Sequence, residues 1–534
     1  MQSVMEHSFS QVPSVEIPRS KFNRSHGLKT TLDADWLVPI LIDDIIPGDT
    51  FNVNATHYAR LGSPLLHPMF DNMMIEQFYF FVPYRLLWDN WEKFMGAQTD
   101  PDDSIDFTVP KVGSSATADL TPINSGNQLM DYMGLPILNS VDMNDFSAMP
   151  FRAYNLIWNE WFRDQNLQDS ATINTGDGPD GGTGDYFLRK RGKRHDYFTS
   201  ALPWPQKGDA VNLPLTGTAP VTGIGTTTSL YNAGPISVFE AGKASTQTYA
   251  NYKGPIDQVS TQQTFYVEED TNVAGRPGIY ADLSEATAAT INDLRLAFQT
   301  QRLLERDARA GTRYVEHILA HYGVTVPDFR VQRPEFLGGG SSMLMQHEVA
   351  NTTDSTQAAL AAHGTSSGTN GFTKSFVEHG LIIGLANVRG DITYSQGAER
   401  HLYKDTRFEF YYPVLAQIGE QAILNKEIYY QNSSEDDDVF GYQERYAEYR
   451  YKPSRLTGLF RPQVATNLAS WTLSEEFTAL PALGDTFIQS NTGAPLDRAL
   501  AIPAEPQVLI DFYFQMNCAR PMPLYGVPGN LDHF

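Results

Sequence analysis

The chain has 534 residues, 41% of them hydrophobic and 12% aromatic, so it can bury a large core and keep aromatic side chains for contacts between chains. Its formal net charge of −23 excludes a protein that neutralises nucleic acid through its whole surface. The single cysteine, Cys518, excludes an intrachain disulfide framework and fits a reducing cytoplasm; we expect it to be a small buried apolar residue.

The N-terminus shows no sign of a targeting segment. Met-Gln-Ser-Val-Met-Glu-His lacks the apolar core and the cleavage site of a signal peptide. No apolar run in the chain approaches the roughly 18 residues that a membrane span requires. We therefore expect no membrane insertion.

Strand signals are spread along the whole chain. The clearest is 508–516, where every second residue is apolar and faces one side: Val508, Ile510, Phe512, Phe514 and Met516. Further candidates, rich in β-branched and aromatic residues, are 51–58, 76–82, 376–388 and 406–412. Strands interrupted by long helical insertions favour a mainly β fold, an elaborated β-sandwich, over a parallel α/β sheet.

Helices are predicted in three places. In 151–163 an aromatic stripe at helical spacing is interpreted as core rather than as a cofactor site: Phe151, Tyr154, Trp158, Trp161 and Phe162. Ser284 is a candidate N-cap of a long helix that ends at Gly311 and turns Ile291, Leu294 and Phe298 inward. A shorter helix, about 313–322, ends at Gly323.

Long loops are predicted at 176–184, which carries five glycines, and at 351–371, which is mostly Thr, Ser, Ala, Gly and Asn. Loops of this length are usually functional or mobile. From Ala210 to Phe239 there is no charged residue, and frequent Gly and Pro favour short hairpins or extended loops over a long helix.

Two basic clusters stand out from the acidic average. The first lies in the polar N-terminal segment and suits local, sequence-independent contacts with phosphates: Arg19, Lys21, Arg24 and Lys29, with His26 among them. The second spans 189–195, and there we slightly favour salt bridges with acidic neighbours. Because the chain as a whole is acidic, we expect most of the neutralisation of any bound DNA to come from a separate small basic partner.

No pattern of catalytic or metal-binding residues is strong. His317 and His321 are four apart on a helix, but Ile318 stands where an H-E-x-x-H motif has its glutamate, so surface histidines are favoured. Gly338-Gly339-Gly340-Ser341 lacks the ending of a phosphate loop and is better explained by flexibility. The turn 181–185 with its aspartates loosely matches a calcium site, which stays open. We predict no catalytic residues, no cofactor and no resident metal.

The most informative stretch is 441–461, which concentrates tyrosine and arginine. These side chains are enriched at the centres of protein–protein interfaces. On residue types alone, a surface helix with Glu/Arg pairs is an equal alternative. The candidates for contacts between subunits are Tyr442, Arg445, Tyr446, Tyr449, Arg450, Tyr451 and Arg455.

This stretch resembles the major capsid protein of microviruses, small single-stranded DNA phages, in their gokushovirus branch. Other segments agree in the same order along nearly the whole chain: 22–31, 47–53, 81–94, 193–203, 313–316 and 332–339. The resemblance is weakest in 100–145, 210–280 and 350–372, where it implies little in detail.

The resemblance implies a viral jelly-roll β-sandwich whose first strands pair with its last. It implies a structural coat protein that assembles with itself into a 60-subunit T=1 icosahedral shell around circular single-stranded DNA, together with a small basic DNA-packaging protein. It divides the chain into an interior-facing N-terminal arm, 1–35, and a coat domain, 36–534. It further implies that an insertion, about 205–282, forms threefold protrusions that meet a host cell-surface receptor.

Within that insertion we place the apolar candidates for the protrusion, which are Ile224, Leu230, Tyr231, Ile236, Val238 and Phe239. The alternative is a loop that packs on its own subunit. For the whole chain, the alternative from another class is a carbohydrate-active β-sandwich enzyme or lectin, against which the missing export signal and the Tyr/Arg stretch argue.

Overall fold

The computed structural model describes residues 17–113, 128–136, 145–181, 184–211, 221–222, 224–226, 236–238, 247–249, 265–267, 280–281, 291–309, 314–323, 325, 330–352 and 357–525. The chain divides into a larger unit, Met1–Pro205 with Asp307–Phe534, and a smaller unit, Gln206–Arg306. In the described residues no helix has both the length and the apolar character needed to cross a membrane.

Strands make up most of the regular structure. They are β1 (Ser20–Asn23), β2 (His26–Leu32), β3 (Val38–Ile45), β4 (Thr50–Leu61), β5 (Met73–Pro83), β6 (Val221–Thr222), β7 (Ile224–Thr226), β8 (Ile236–Val238), β9 (Gln247–Tyr249), β10 (Phe265–Val267), β11 (Tyr280–Ala281), β12 (Glu335–Met343), β13 (Met345–Ala350), β14 (Leu360–Ser375), β15 (Gly380–Gly390), β16 (Glu420–Leu424), β17 (Val439–Glu444) and β18 (Val508–Arg520).

Helices are fewer and mostly short. They are α1 (Trp91–Phe94), α2 (Gln128–Tyr132), α3 (Met149–Ile157), α4 (Ile291–Arg309), α5 (Tyr314–Tyr322), α6 (Asn425–Ile428), α7 (Asp485–Ile488) and α8 (Gly493–Ala499). A π-helical turn, Trp158–Phe162, continues α3.

The larger unit is a jelly-roll sandwich of two antiparallel sheets. One sheet has the order β2-β18-β4-β14, with β1 also on β18 and β13 added beside β14; the other has the order β12-β5-β15-β3. The chain therefore crosses between the sheets several times, and the N-terminal strands pair with the last strand. This confirms the predicted fold class and the pairing of first with last strands.

The sandwich forms because the strands alternate in polarity. Along β4 and β18 every second side chain is buried, and Cys518 is buried at the end of β18 as predicted. In the second sheet β15 is buried along its whole length, since α3 packs over its outer side. Aromatic rings join the two sheets, with Tyr79 and Phe372 centroids 5.4 Å apart. The predicted strands 51–58, 76–82 and 508–516 are thus confirmed, and 376–388 is confirmed from residue 380 onward.

Two glycine-rich segments that were predicted to be loops or flexible are strands. Residues 360–371 lie in β14, between β4 and β13, and Gly338–Gly340 lie in β12 on β5. Close approach explains the small residues: a Cβ on Gly368 would lie 2.0 Å from Ser342 Oγ, and one on Gly340 would lie 2.0 Å from Asn370 Oδ1. Composition alone does not reveal this packing. The prediction of flexibility for Gly338–Gly340 was therefore wrong, and the predicted loop 351–371 was wrong from residue 360 onward.

The predicted strand 406–412 is also wrong. Thr406 caps a 3₁₀ turn, Arg407–Glu409, whose Glu409 carboxylate accepts hydrogen bonds from the backbone of Asp405 and Thr406. This local bonding replaces a ladder with a neighbouring strand. The aromatic residues that suggested a strand are instead exposed.

The helices agree better with the prediction. In α3 and its π turn, Phe151, Tyr154 and Trp158 are buried in the core. α5 ends before Gly323, which has a φ of +68°. α4 exists, but its predicted inward face was wrong, since Ile291, Leu294 and Phe298 are exposed; the predicted cap Ser284 and stop Gly311 lie outside the described residues.

The smaller unit contains nested antiparallel pairs. β6 pairs with β11, β7 with β10, and β8 with β9, so each pair lies inside the previous one along the chain. The strands are short, as the Gly/Pro-broken sequence predicts, but of the three pairs only β8 with β9 joins strands that are consecutive in the chain, and β9, β10 and β11 lie beyond the uncharged stretch 210–239.

Candidate assembly surface

The Tyr/Arg segment 441–461 begins in β17 and continues through a 3₁₀ turn, Ala447–Tyr449. Tyr446 turns the chain with a φ of +64° and is buried. Its hydroxyl donates to the Phe408 carbonyl oxygen at 3.1 Å. The Arg445 guanidinium donates to the same oxygen at 3.2 Å. The segment is therefore fixed to residues 404–412.

Together the two segments form an exposed aromatic surface, here called the aromatic patch: Phe408, Phe410, Tyr411, Tyr449 and Tyr451. The Tyr411 ring centroid lies 6.1 Å from that of Tyr449 and 5.3 Å from that of Tyr446. All five patch residues are more than half exposed. Val414, 87% exposed, and Ile418 are further exposed apolar residues shortly after the first segment in the chain. Large exposed apolar patches commonly mark interaction sites, which makes this patch the candidate for a contact surface.

Of the seven predicted contact residues, Tyr449, Arg450, Tyr451 and Arg455 are exposed. Tyr442 and Arg445 are half-buried, and Tyr446 packs inside its own chain. We therefore retain the contact prediction for the four exposed residues and assign Tyr446 to their support.

A cleft of about 340 Å³ lies beside the patch. Its walls carry charged pairs that hold the exposed aromatics in place. Lys404 Nζ lies 2.9 Å from Glu448 and 4.1 Å from the Tyr449 ring centroid. Although partial burial works against the charge, the Glu448 carboxylate holds the pKa of Lys404 above its ordinary value. Arg455 pairs with Glu399 at 3.0 Å on the same wall.

The N-terminal basic cluster lies along the sheet edge rather than in a free arm. β1 and β2 both pair with β18, and the Arg24 backbone N–H donates to Met516 O between them. Arg19 and Lys21 are exposed, and Lys29 is 81% exposed at 3.4 Å from Asp511. Arg24 forms an ion pair with the buried Asp43 and is thereby part of the fold. Residues 1–16 of the predicted arm lie outside the described residues.

The second basic cluster is a set of salt bridges and ring contacts, the interpretation that the sequence slightly favoured. Lys193 pairs with Glu475 at 2.6 Å and Arg194 with Asp391 at 3.0 Å. Arg191 shares Glu76 with Arg389. Burial and the neighbouring Arg389 lower the pKa of Arg191 to about 10. These charges are used within the chain.

The aspartates of the loop 176–185 do not converge as calcium ligands. Asp180 is buried and forms a bidentate pair with Arg152, at 2.7 and 2.8 Å. Asp177 accepts hydrogen bonds from Trp88 and Asn90 instead. Because protein donors already use these oxygens, the loose calcium match is explained as structural hydrogen bonding.

The protrusion candidates are described only in part. Ile224 lies in β7, and Ile236 and Val238 lie in β8. Leu230, Tyr231 and Phe239 lie outside the described residues.

Sequence reasoning missed the aromatic half of the patch at 408–412, because the run Phe-Glu-Phe-Tyr-Tyr was interpreted as a strand. The density of aromatic residues in this run was the available signal.

Comparison with known proteins extends along nearly the whole chain. A family model described as "Capsid protein (F protein)" matches residues 10–530. Capsid protein VP1 of Bdellovibrio phage phiMH2K is 46% identical over 546 residues, which cover 99% of this chain and 98% of that protein. Capsid protein VP1 of Chlamydia phage 1 is 42% identical, with 99% and 98% covered. Capsid protein VP1 of Spiroplasma virus 4 is 34% identical, with 98% and 97% covered.

These matches confirm the resemblance found in the segments 22–31 to 441–461. They also favour a structural role over the alternative of a carbohydrate-active enzyme or lectin. The chain belongs to the F-protein family of phage capsid proteins, in the gokushovirus branch of the microviruses, and is a structural component of the virion rather than an enzyme.

Proposed function

We propose that sixty copies of this chain assemble into a closed T=1 icosahedral shell around circular single-stranded DNA. The observation that carries the proposal is the aromatic patch, an exposed set of Phe and Tyr rings fixed by the Arg445, Tyr446 and Lys404 contacts. A surface of this composition is typical of the core of a protein–protein interface.

The patch has the features of a contact with a second copy of the chain. Its rings are already held in place, so association orders few side chains. The hydroxyl groups of Tyr449 and Tyr451 in the patch, and the exposed guanidinium groups of Arg450 and Arg455, are donors that a partner can satisfy. In a shell the patch of one copy contacts a different surface on the neighbouring copy, which is a heterologous contact. Repeated heterologous contacts give a closed assembly when the rotation between neighbouring copies belongs to a point group.

The genome contacts proposed here are local. The exposed Arg19, Lys21 and Lys29 offer three cations on one sheet edge, against a net charge of −23 for the chain. We assign most of the neutralisation of the DNA phosphates to a small basic DNA-packaging protein. We further propose that this sheet edge faces the interior of the shell. Assembly in the bacterial cytoplasm fits the single, buried Cys518.

The nested hairpins of 206–306 are proposed to form the surface protrusion that meets the host cell receptor. Short strand pairs of two or three residues are marginal in isolation and leave unpaired edges. Copies of the same segment around a threefold axis would cover those edges.

Electron microscopy of the purified chain tests the assembly. Closed shells of one diameter are expected, with a protein mass near that of sixty chains of 59.6 kDa, about 3.6 MDa, by native mass measurement. A reconstruction should place the aromatic patch against a neighbouring copy. Open sheets or fibres, or shells in which the patch faces solvent, would contradict the proposal.

A further inference from the structure

Three metal-binding side chains meet where α4 and α5 come together. Asp307 is in the last turn of α4, and His317 and His321 lie four residues apart on α5. Asp307 Oδ1 is 2.6 Å from His321 Nε2 and 3.2 Å from His317 Nδ1. One ligand atom from each of the three residues lies within 4.8 Å of the others. All three residues belong to the larger unit.

The site is partly sheltered, as metal sites usually are. The side chains of His321 and Asp307 are 12% and 19% exposed, while His317 is 43% exposed and leaves one side open to solvent. Ala308, next to Asp307, is buried, so the last turn of α4 is packed rather than frayed. The two imidazole rings have centroids 4.3 Å apart on one face of α5.

We propose that Asp307, His317 and His321 bind one divalent transition-metal ion of the zinc type, with water as the fourth ligand. Tetrahedral ligands at about 2.0–2.1 Å from Zn²⁺ lie about 3.3 Å from one another. The contact to His317 already has this length, and the contact to His321 needs to open by less than about 1 Å. The ion then replaces the hydrogen bond between Asp307 and His321.

The ligand set selects the class of ion and its role. Two imidazoles disfavour Ca²⁺ and Mg²⁺, which take oxygen ligands. Although a water-bound position is the pattern of catalytic zinc sites, the glutamate that would act as a base in an H-E-x-x-H enzyme is Ile318 here, so we assign the ion a structural role. It clips the end of α4 to α5, in addition to the Asp307 contacts that already join the two helices.

Titration of the purified full-length chain with Zn²⁺, followed by calorimetry and metal analysis, tests the site. One equivalent of Zn²⁺ is expected for the unmodified chain. Replacing a residue that only hydrogen-bonds to a metal ligand lowers metal affinity about 10–100-fold. Replacing a ligand itself, in His321→Gln or Asp307→Asn, should therefore weaken Zn²⁺ binding at least about tenfold.

The matched control is His347→Gln with His363→Gln. These histidines stack with centroids 5.1 Å apart on β13 and β14 and are exposed. The control should keep full Zn²⁺ binding. Equal binding by His321→Gln and the unmodified chain would overturn the proposal.

A measurement on the unmodified chain covers the case in which the variants do not fold. X-ray absorption of the Zn²⁺-loaded protein should show two imidazole nitrogens and light oxygen ligands at about 2.0–2.1 Å. A coordination shell without two imidazoles would likewise overturn the site.

Discussion

The ammonium nitrogen of Lys404 lies 4.1 Å from the centroid of the Tyr449 ring, and so connects the segments 404–412 and 441–461. Glu448 holds the same ammonium group at 2.9 Å. The exposed rings are therefore positioned before any partner arrives. This arrangement lowers the entropic cost of forming an interface through the patch.

Tyr449→Ala with Arg450→Ala should reduce the yield of assembled particles while the single chain stays folded. Loss of a central anchor commonly costs about 2 kcal/mol or more for each contact, and a shell repeats that loss at every copy. Both side chains are exposed, so folding stability should change mainly by the lost contact between Lys404 and the Tyr449 ring, about 1 kcal/mol. Particle yield by sedimentation and thermal unfolding of the unassembled chain provide the two measurements.

The matched control for that double variant is Tyr58→Ala. Tyr58 is as exposed as Tyr449, 56% against 55%, but lies on the polar outer side of β4 opposite Asp511. Its removal should leave the yield unchanged. Normal assembly by the Tyr449/Arg450 variant would mean that the patch is not an assembly contact.

The jelly-roll fold could be predicted because its strands carry alternating polarity, as 508–516 does, and because several family segments agree in order. Surfaces were harder to predict. Phe410 and Tyr411 are residue types that favour a strand. Only the hydrogen bonds that Glu409 accepts from the backbone of Asp405 and Thr406 show that the chain forms a turn here. Contacts between distant residues, such as Gly340 with Asn370 or Asp307 with His321, leave no periodic signal in the sequence.

A buried histidine should make the fold sensitive to mild acid. Gln77 accepts a hydrogen bond from the Tyr79 hydroxyl through Oε1, so its Nε2 donates to His57 Nδ1 at 2.6 Å. Burial lowers the pKa of His57. Below about pH 6.5 His57 binds a proton in the unfolded chain more readily than in the folded chain, where its pKa is lowered. The contribution of neutral His57 to the free energy of unfolding is therefore complete above that pH and is lost as the pH falls toward the lowered pKa.

Thermal unfolding between pH 7.5 and 5.5 measures this effect. His57→Gln should show a shallower loss of stability with falling pH than the unmodified chain, by up to about 1.4 kcal/mol per pH unit. His363→Gln, which removes an exposed histidine, should keep the original slope. If His57→Gln also keeps it, another group is responsible for the acid sensitivity.

The exposed part of the N-terminal basic cluster should contribute to DNA retention. Arg19→Gln with Lys21→Gln and Lys29→Gln removes three cations and leaves the Arg24–Asp43 pair intact. For single-stranded DNA, the logarithm of the affinity falls with the logarithm of the salt concentration with a slope of about 0.7 for each phosphate contact. Loss of three contacts should therefore reduce the magnitude of this slope by about 2. DNA release from particles at increasing salt provides the measurement.

An equal removal of charge elsewhere serves as the control for that triple variant. Lys93→Gln, Lys111→Gln and Arg330→Gln remove three cations outside the cluster, of which Lys111 and Arg330 are exposed and Lys93 is half-buried. Equal DNA loss in both triple variants would show a general charge effect. Protease cleavage within 19–29 on intact particles would place this edge outside the shell.

Shortening the nested hairpins should separate assembly from attachment. Thr226 and Phe265 are paired across β7 and β10, so a short Gly-rich turn can replace residues 227–264 and keep this pair. Antiparallel partners have Cα atoms only about 4.5–5.5 Å apart, which two or three residues can bridge. The shortened chain should form shells of normal yield but bind poorly to cells that take up unmodified particles. A Gly/Ser replacement of the same length as 227–264 controls for the loss of mass. Normal attachment by the shortened particles, or density that places the hairpins flat on their own subunit, would reject the receptor-binding role of this insertion.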